Sequence, residues 1–380
     1  MSLNNTFRFI LNLLFFVFIN LPVNCFSYSI WSLEQHYDVP RISENYTNAE
    51  CVSKQKNPYT GSLQLQSKYD QSDPTKSTLT SPDSKTQKIK QHLEQYISEL
   101  SKNSKQYHDG LKFGDINKAN KAIFCFNIFL ENWADADAML SQDANGTGQA
   151  ARKFFLAALS SSILRIQALS NGQYQLSQVQ KDWLENLGNL VIDEYTPRRT
   201  KKNVYFNNHD YWAAWAVTST GIVLRKADFL IWGHENLKQG LKQITVSNHG
   251  NYGYLPFEVT RGKLAADYSN YAMIPLSLLV ESAKRNDSST LKLKLSDDEL
   301  YKFQQLATFT ARSVLEPNEL PELKGTKQQS VGNNKLVWIF PFLSMYPEHE
   351  WAKTLYTQKK KNISSSQLGG DIGIFYHTIQ

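Results

Sequence analysis

Two stretches of this chain set hydrogen-bond donors beside flat rings. The first, NNHDYWAAWAV at residues 207–217, puts Asn208, His209 and Trp212 where a helix begins. Asn207 suits the cap of that helix, and Asp210 at the third helical position makes a weak capping box. Capping leaves Asn208, His209 and Trp212 unexplained. The second stretch, GYLPFEVTRGKLAADYSNYAMIPL at 253–276, spaces Arg261, Ala265, Tyr268 and Tyr271 at four, three and three residues. These share one helix face if the helix starts near Arg261, although Gly262 argues against a regular helix so early. By pattern alone a core helix with two satisfied tyrosines and a surface arginine reads the same way.

The residue types limit the chemistry. A glycosidase needs a pair of carboxyl groups. Glu258, Asp210 and Asp267 are the candidates, and none has an obvious partner in sequence. A serine nucleophile elbow and a phosphate-binding glycine loop are absent. No Cys/His spacing points to a metal, and no cofactor is indicated. Donors without paired carboxylates suit β-elimination on a uronic acid. There the C5 proton is only weakly acidic while the adjacent carboxylate stays charged. Donors around that carboxylate withdraw charge and stabilise the enolate-like intermediate. A base then removes the proton and an acid protonates the O4 leaving group. An amide, an imidazole and a guanidinium can all neutralise, and a helix N-terminus adds N–H groups and a favourable dipole. Trp212, Trp215, Trp133 and Tyr271 offer faces on which sugars can stack.

Elements that could position these residues are helical. From about residue 86 the apolar positions follow a helical period, with Ile89, Leu93, Tyr96, Ile97 and Leu100 on one face. The same reading suits 118–140, 149–169, 178–194, 209–224, 227–244, 263–282, 297–315 and 335–346. Several segments, such as ARKFFLAALSSSILRIQAL, are apolar around most of their circumference and must be buried on more than one side. An all-α protein of two layers fits, with inner helices shielded by outer ones. Residues 28–85 read as an extended lead-in with a short strand-like SLQLQS at 62–67. The polar loop at 70–88 is either a lid over a cleft or a disordered surface loop. No linker divides the chain after residue 90, so residues 86–380 read as one domain with the lead-in packed on it.

The bulk numbers agree. The 380 residues carry 41% hydrophobic side chains, enough for a full core. The net charge of +6 is spread out, which disfavours nucleic acid and allows an acidic substrate. Arg8 precedes the apolar run FILNLLFFVFINLPV, and small residues follow near Ser27, as in a secretory signal over 1–27. No later segment is long and apolar enough to anchor the chain in a membrane. Removing the signal leaves Cys51 and Cys125, which in an oxidising compartment are expected to form one bridge.

With these residues in view, the chain resembles the alginate lyases of polysaccharide lyase family five, poly(β-D-mannuronate) lyases of bacterial periplasms. NNHDYWAAWAV and GYLPFEVTRGKLAADYSNYA are close to that family's two most characteristic segments, and the likeness runs from PYTGSLQLQSKY to LGGD at 368–371. The resemblance implies an α/α toroid and cleavage of β-1,4 bonds in mannuronate-rich alginate, by a periplasmic monomer. It implies that Asn208, His209 and Arg261 neutralise the substrate carboxylate and that Tyr268 is the catalytic tyrosine. Ser67, Lys68, Gly146, Thr147, Trp212 and Tyr271 would contact substrate. In mannuronate the C5 proton and O4 lie on one face, so a single tyrosine can serve as base and then acid. The alternative division has His209 as base and Tyr268 as acid. This chain departs from the family at Gly146, where His is usual, at Ser269, at the thinned basic run Thr260-Arg261-Gly262-Lys263, and at Gln367, where Arg is common. Two other classes remain open at this stage: a non-catalytic binder of an exported acidic polysaccharide, and a toroidal glycoside hydrolase working through Glu258 or Asp210.

Overall fold

The computed structural model describes residues 28–32, 51, 56–200, 205–248 and 251–376. The signal expected over 1–27 lies outside them. The described residues form eleven α-helices: α1 (Ser84–Phe113), α2 (Ile116–Asp135), α3 (Gly146–Leu169), α4 (Gln178–Thr200), α5 (Asn208–Leu224), α6 (Ala227–Lys242), α7 (Pro256–Val259), α8 (Ala265–Asn286), α9 (Asp297–Leu315), α10 (Ile339–Met345) and α11 (Glu350–Lys359). A two-stranded antiparallel ribbon, β1 (Thr245–Val246) with β2 (Gly253–Tyr254), interrupts them.

Short loops join successive helices into hairpins: α1 with α2, α3 with α4, α5 with α6 and α8 with α9. One member of each hairpin packs on the next hairpin's equivalent member, so α1, α3, α5 and α8 adjoin in series while α2, α4, α6 and α9 do the same. That is the two-layer arrangement expected from apolar patterning. The α5 helix sits in the middle and touches α3, α4, α6 and α8. Fifteen of its residues are buried, Asn208 and Trp212–Val223 among them, which is why its sequence shows no amphipathic period. One continuous core runs from Ile30 and Trp31 to Phe375 and Tyr376.

The structure corrects three expectations. SLQLQS is not a strand; Leu63 makes a single parallel bridge with Ala144, and its N–H donates to Asp143 O at 2.7 Å. The apolar alternation there records Leu63 and Leu65 buried against the start of α3. Gly148 makes this possible, because a Cβ on it would lie 1.9 Å from Leu63 O. Second, α1 starts at Ser84, inside the segment expected to be loop, where the Asp83 carboxylate accepts from Thr86 N at 2.6 Å. Third, residues 335–346 are not one helix but a 3-10 turn, Asn333–Lys335, followed by α10, and α7 and α11 were not foreseen.

Cys51 and Cys125 form the expected disulfide, across 74 residues of sequence. Closing a loop of that length removes about 4 kcal/mol of denatured-state entropy. The double variant Cys51→Ser, Cys125→Ser is therefore expected to unfold at clearly lower denaturant concentration, by about that free energy. An unchanged midpoint in equilibrium denaturation would show that the lead-in is held without the bridge.

Candidate active site

The site is organised by the first turn of α5. Asn207 caps it by accepting from His209 N at 3.0 Å, and the Asp210 carboxylate accepts from Asn207 N at 2.9 Å, completing the box read from sequence. Asp210 is also held by Arg198, whose Nε and Nη2 donate at 2.7 and 2.9 Å. The next residue, Asn208, faces α7. Its backbone N–H donates to Glu258 Oε1 at 2.7 Å, and its amide Nδ2 donates to both carboxylate oxygens at 3.2 and 3.0 Å. Its Oδ1 is buried with no partner among the described residues. Burial pushes the Glu258 carboxyl up to about 7, against the Asn208 hydrogen bonds and the Arg261 charge that favour its ionised form.

His209 meets a residue that sequence reading missed. Lys153 on α3 has 0% exposure, and its Nζ lies 2.6 Å from His209 Nδ1. Burial, with Lys153, Arg198 and Arg261 nearby, holds the imidazole far below its ordinary pKa. Burial likewise holds the Lys153 amine far below its own, against the pull of Asp210. The sequence carried only a weak signal for this lysine: like its neighbour Arg152, it is a charge inside a largely apolar helix.

Arg261 sits before a 3-10 turn, Gly262–Leu264, rather than on α8; Gly262 takes φ +57°, which breaks the helix as its type foretold. The guanidinium still reaches the tyrosine face, 4.0 Å from the ring centre of Tyr268 and 5.0 Å from that of Tyr69. The Tyr268 hydroxyl shares a short hydrogen bond with the Tyr69 hydroxyl. Burial and Tyr69 raise the Tyr268 phenol above its ordinary pKa, while Arg261 pulls it down. Tyr69 was missed as a site residue. It opens a hairpin over 69–79, closed by the Tyr69–Leu79 bridge and by Asp70 N donating to Thr78 O at 3.0 Å. At the turn the Asp73 carboxylate accepts from the N–H groups of Thr75, Ser77 and Thr78 at 2.8, 2.9 and 2.8 Å. Arg261 Nη2 ties the hairpin down by donating to Lys76 O at 2.8 Å. The polar loop is thus an ordered hairpin over the site. Arg261 Nε remains buried and unpartnered among the described residues.

Tyr271 closes the group. Its ring lies 6.4 Å from that of Tyr268 and 6.0 Å from Phe154, which in turn is 5.9 Å from His209. Its hydroxyl accepts from Gln367 Nε2 at 2.8 Å. Lys335, paired with Asp267, adds a further cation 5.8 Å from the Tyr268 ring and 5.4 Å from the Tyr271 ring. The donors read from two distant stretches therefore converge, with His209, Arg261, Tyr268 and Tyr271 linked through ring contacts.

Comparison with known proteins follows the same line. The alginate lyase family model matches residues 64–320. The chain belongs to the alginate lyase family. An alginate lyase of Pseudomonas putida (strain GB-1) is 30% identical over 351 residues, covering 89% of this chain and 88% of the relative. One of Pseudomonas fluorescens (strain SBW25) is 31% identical over 331 residues, covering 84% and 82%. Among solved structures, alginate lyase A1-III from Sphingomonas species A1 superposes with a TM-score of 0.63 at 16% identity, covering 85% of this chain and 86% of that one. A variant of A1-III complexed with a tetrasaccharide gives 0.65. The fold is an α/α toroid, and the family's reaction is alginate depolymerisation.

Asn145 accepts from Leu65 N at 3.3 Å and donates through Nδ2 to Leu65 O at 2.9 Å. This pair ties Leu65, just before Ser67 and Lys68, to the cap residue that precedes Gly146 and Thr147 at the start of α3. Lys68 is exposed, with Nζ 5.2 Å from the Tyr69 ring centre. Gly146 is open, and a Cβ there would touch nothing within 4 Å. Trp212 does not line the cleft: it has 0% exposure and lies beneath Tyr271, ring centres 5.1 Å apart. Trp133 on α2 and Trp215 on α5 are equally buried, their large rings packed into the core. Asn208 turns its amide to Glu258 and not to the cleft, since a buried carboxyl needs those donors. The glycosidase carboxylates are all engaged, Asp210 by Arg198, Glu258 by Asn208 and Asp267 by Lys335. Ser269, a further departure from the family, has 0% exposure.

Proposed function

We propose that the protein cleaves mannuronate-rich alginate by β-elimination, with Tyr268 carrying both proton transfers. The observation that carries this is the Arg261 guanidinium 4.0 Å from the Tyr268 ring, on the same cluster as His209. His209 and Arg261 hold the substrate carboxylate and stabilise charge as it develops on the enolate. Tyr268, ionised, takes the C5 proton; the electron pair forms the C4–C5 double bond and the C4–O4 bond breaks. The Tyr268 hydroxyl returns that proton to O4, leaving an unsaturated uronate at the new non-reducing end. Because one side chain serves both steps, H5 and O4 must lie on one face, as in mannuronate. The C5 epimer guluronate places them on opposite faces. Glu258, at a pKa of about 7, is part protonated at neutral pH.

The signal-like sequence over 1–27 and the Cys51–Cys125 bridge support export to a periplasm, where the chain acts as a monomer on trapped or imported polymer. Ultraviolet absorbance of the unsaturated product tests the reading. Polymannuronate is expected to give a strong signal and polyguluronate a weak one. Equal rates on the two blocks would remove the one-face argument, and binding without product would make the protein a carbohydrate binder.

A further inference from the structure

Lys153 is placed where a lysine is costly. It lies wholly inside α3, its Nζ 4.3 Å from the Phe154 ring centre and 5.0 Å from that of Tyr195. It forms no ion pair among the described residues. The nearest acid to face it, Asp210, is held by Arg198 through bonds of 2.7 and 2.9 Å. An ammonium there would be a buried charge without compensation. Its polar contact is with His209 Nδ1 at 2.6 Å. Two nitrogens at that distance cannot both be cationic, and one must donate while the other accepts. An amine can donate in either protonation state. An imidazole Nδ1 can accept only when the ring is neutral and its proton is on Nε2. Nε2 has no protein partner among the described residues, and His209 as a whole is partly exposed.

We propose that Lys153 is a positioning residue for His209: by donating to Nδ1 it fixes the neutral imidazole with its proton on Nε2, presented to the substrate carboxylate. This rests on the lyase reading and deepens it. An imidazole held this way is a donor, and its Nε2 has no lone pair with which to take the C5 proton. The base is then Tyr268, and the division with His209 as base is ruled out by a residue outside the reacting group. The groups facing the pair agree. Arg198 and Arg261 lie near His209, while Tyr195, Asp210 and Arg198 lie near Lys153. The nearest positive charges therefore disfavour a second proton on the ring.

Long-range 15N–1H spectra of histidine-labelled protein, with no substrate present, test this directly. The His209 signals, assigned by their loss in His209→Asn, are expected to show unprotonated Nδ1 and protonated Nε2, unchanged from about pH 5 to 8, across the ordinary imidazole range. Lys153→Met keeps the apolar stem and removes the donor. It is expected to give mixed tautomers and to lower kcat by roughly tenfold to a hundredfold with little change in KM, the range for losing the partner that orients a functional imidazole. A proton on Nδ1 in the wild type, or titration of the ring near its ordinary pKa, overturns the proposal even if Lys153→Met fails to fold. So does a folded Lys153→Met that keeps both spectrum and kcat. Because the spectrum needs no turnover, a wrong tautomer and an inactive protein are told apart.

Discussion

Tyr268→Phe is expected to lower kcat on polymannuronate by about 10²- to 10⁴-fold, the range for a positioned general acid–base group, while leaving the fold intact. The substitution removes only the hydroxyl. The ring stays against Arg261 and Tyr271, and the lost hydrogen bond is the one to Tyr69 on the surface hairpin. Stability should therefore change by no more than about 1 kcal/mol. The wild-type pH profile carries a second sign of the same group. A base must be deprotonated, so kcat/KM should climb on the alkaline side as the phenol ionises. Burial and Tyr69 push that ionisation to higher pH, and Arg261 draws it back. Tyr268→Phe should abolish the climb. Retained turnover, or an unchanged profile at reduced rate, would move the base to another residue.

Arg261→Gln should have the next largest effect. One charge-stabilising donor aimed at a developing anion is worth about 10²- to 10³-fold in kcat, and Gln keeps a donor while removing the charge. Three roles are lost together. The cation no longer sits over Tyr268, so the phenol titrates higher and the alkaline limb moves to higher pH. The buried Nε, without a partner among the described residues, is no longer available to the substrate carboxylate. The bond to Lys76 O that ties down the hairpin goes as well, which should raise KM. A full pH–rate profile of the variant separates these. A loss of kcat with the limb unmoved would mean that Arg261 binds the carboxylate but does not tune the tyrosine.

Lys153 and Tyr69 show why part of this site was hidden. Lys153 acts because α3 and α5 pack side by side and bring residues 56 positions apart within 2.6 Å. In sequence it is one of three basic residues, with Arg152 and Arg165, in a largely apolar helix. Tyr69 meets Tyr268 across 199 positions, through a hairpin whose turn is built by Asp73 and its three N–H donors. Polarity marked that segment as loop and could say nothing of its shape. Trp212 failed in the opposite direction. An aromatic beside functional residues looks like a sugar platform, yet burial on all sides of α5 put it under the site.

What the sequence determined by itself was local chemistry and its periodicity. Capping types placed the α5 start at Asn207, the glycine at 262 kept Arg261 off the helix, and the all-round apolar segments required two layers of helices. The shortage of free carboxylates among gathered donors pointed to elimination rather than hydrolysis. The tertiary structure alone decided orientation: which face of Asn208 meets Glu258, which ring nitrogen of His209 is engaged, and which rings reach the cleft. Those choices depend on contacts between residues far apart in the chain, where burial and the need to pair every polar group override what any single segment prefers.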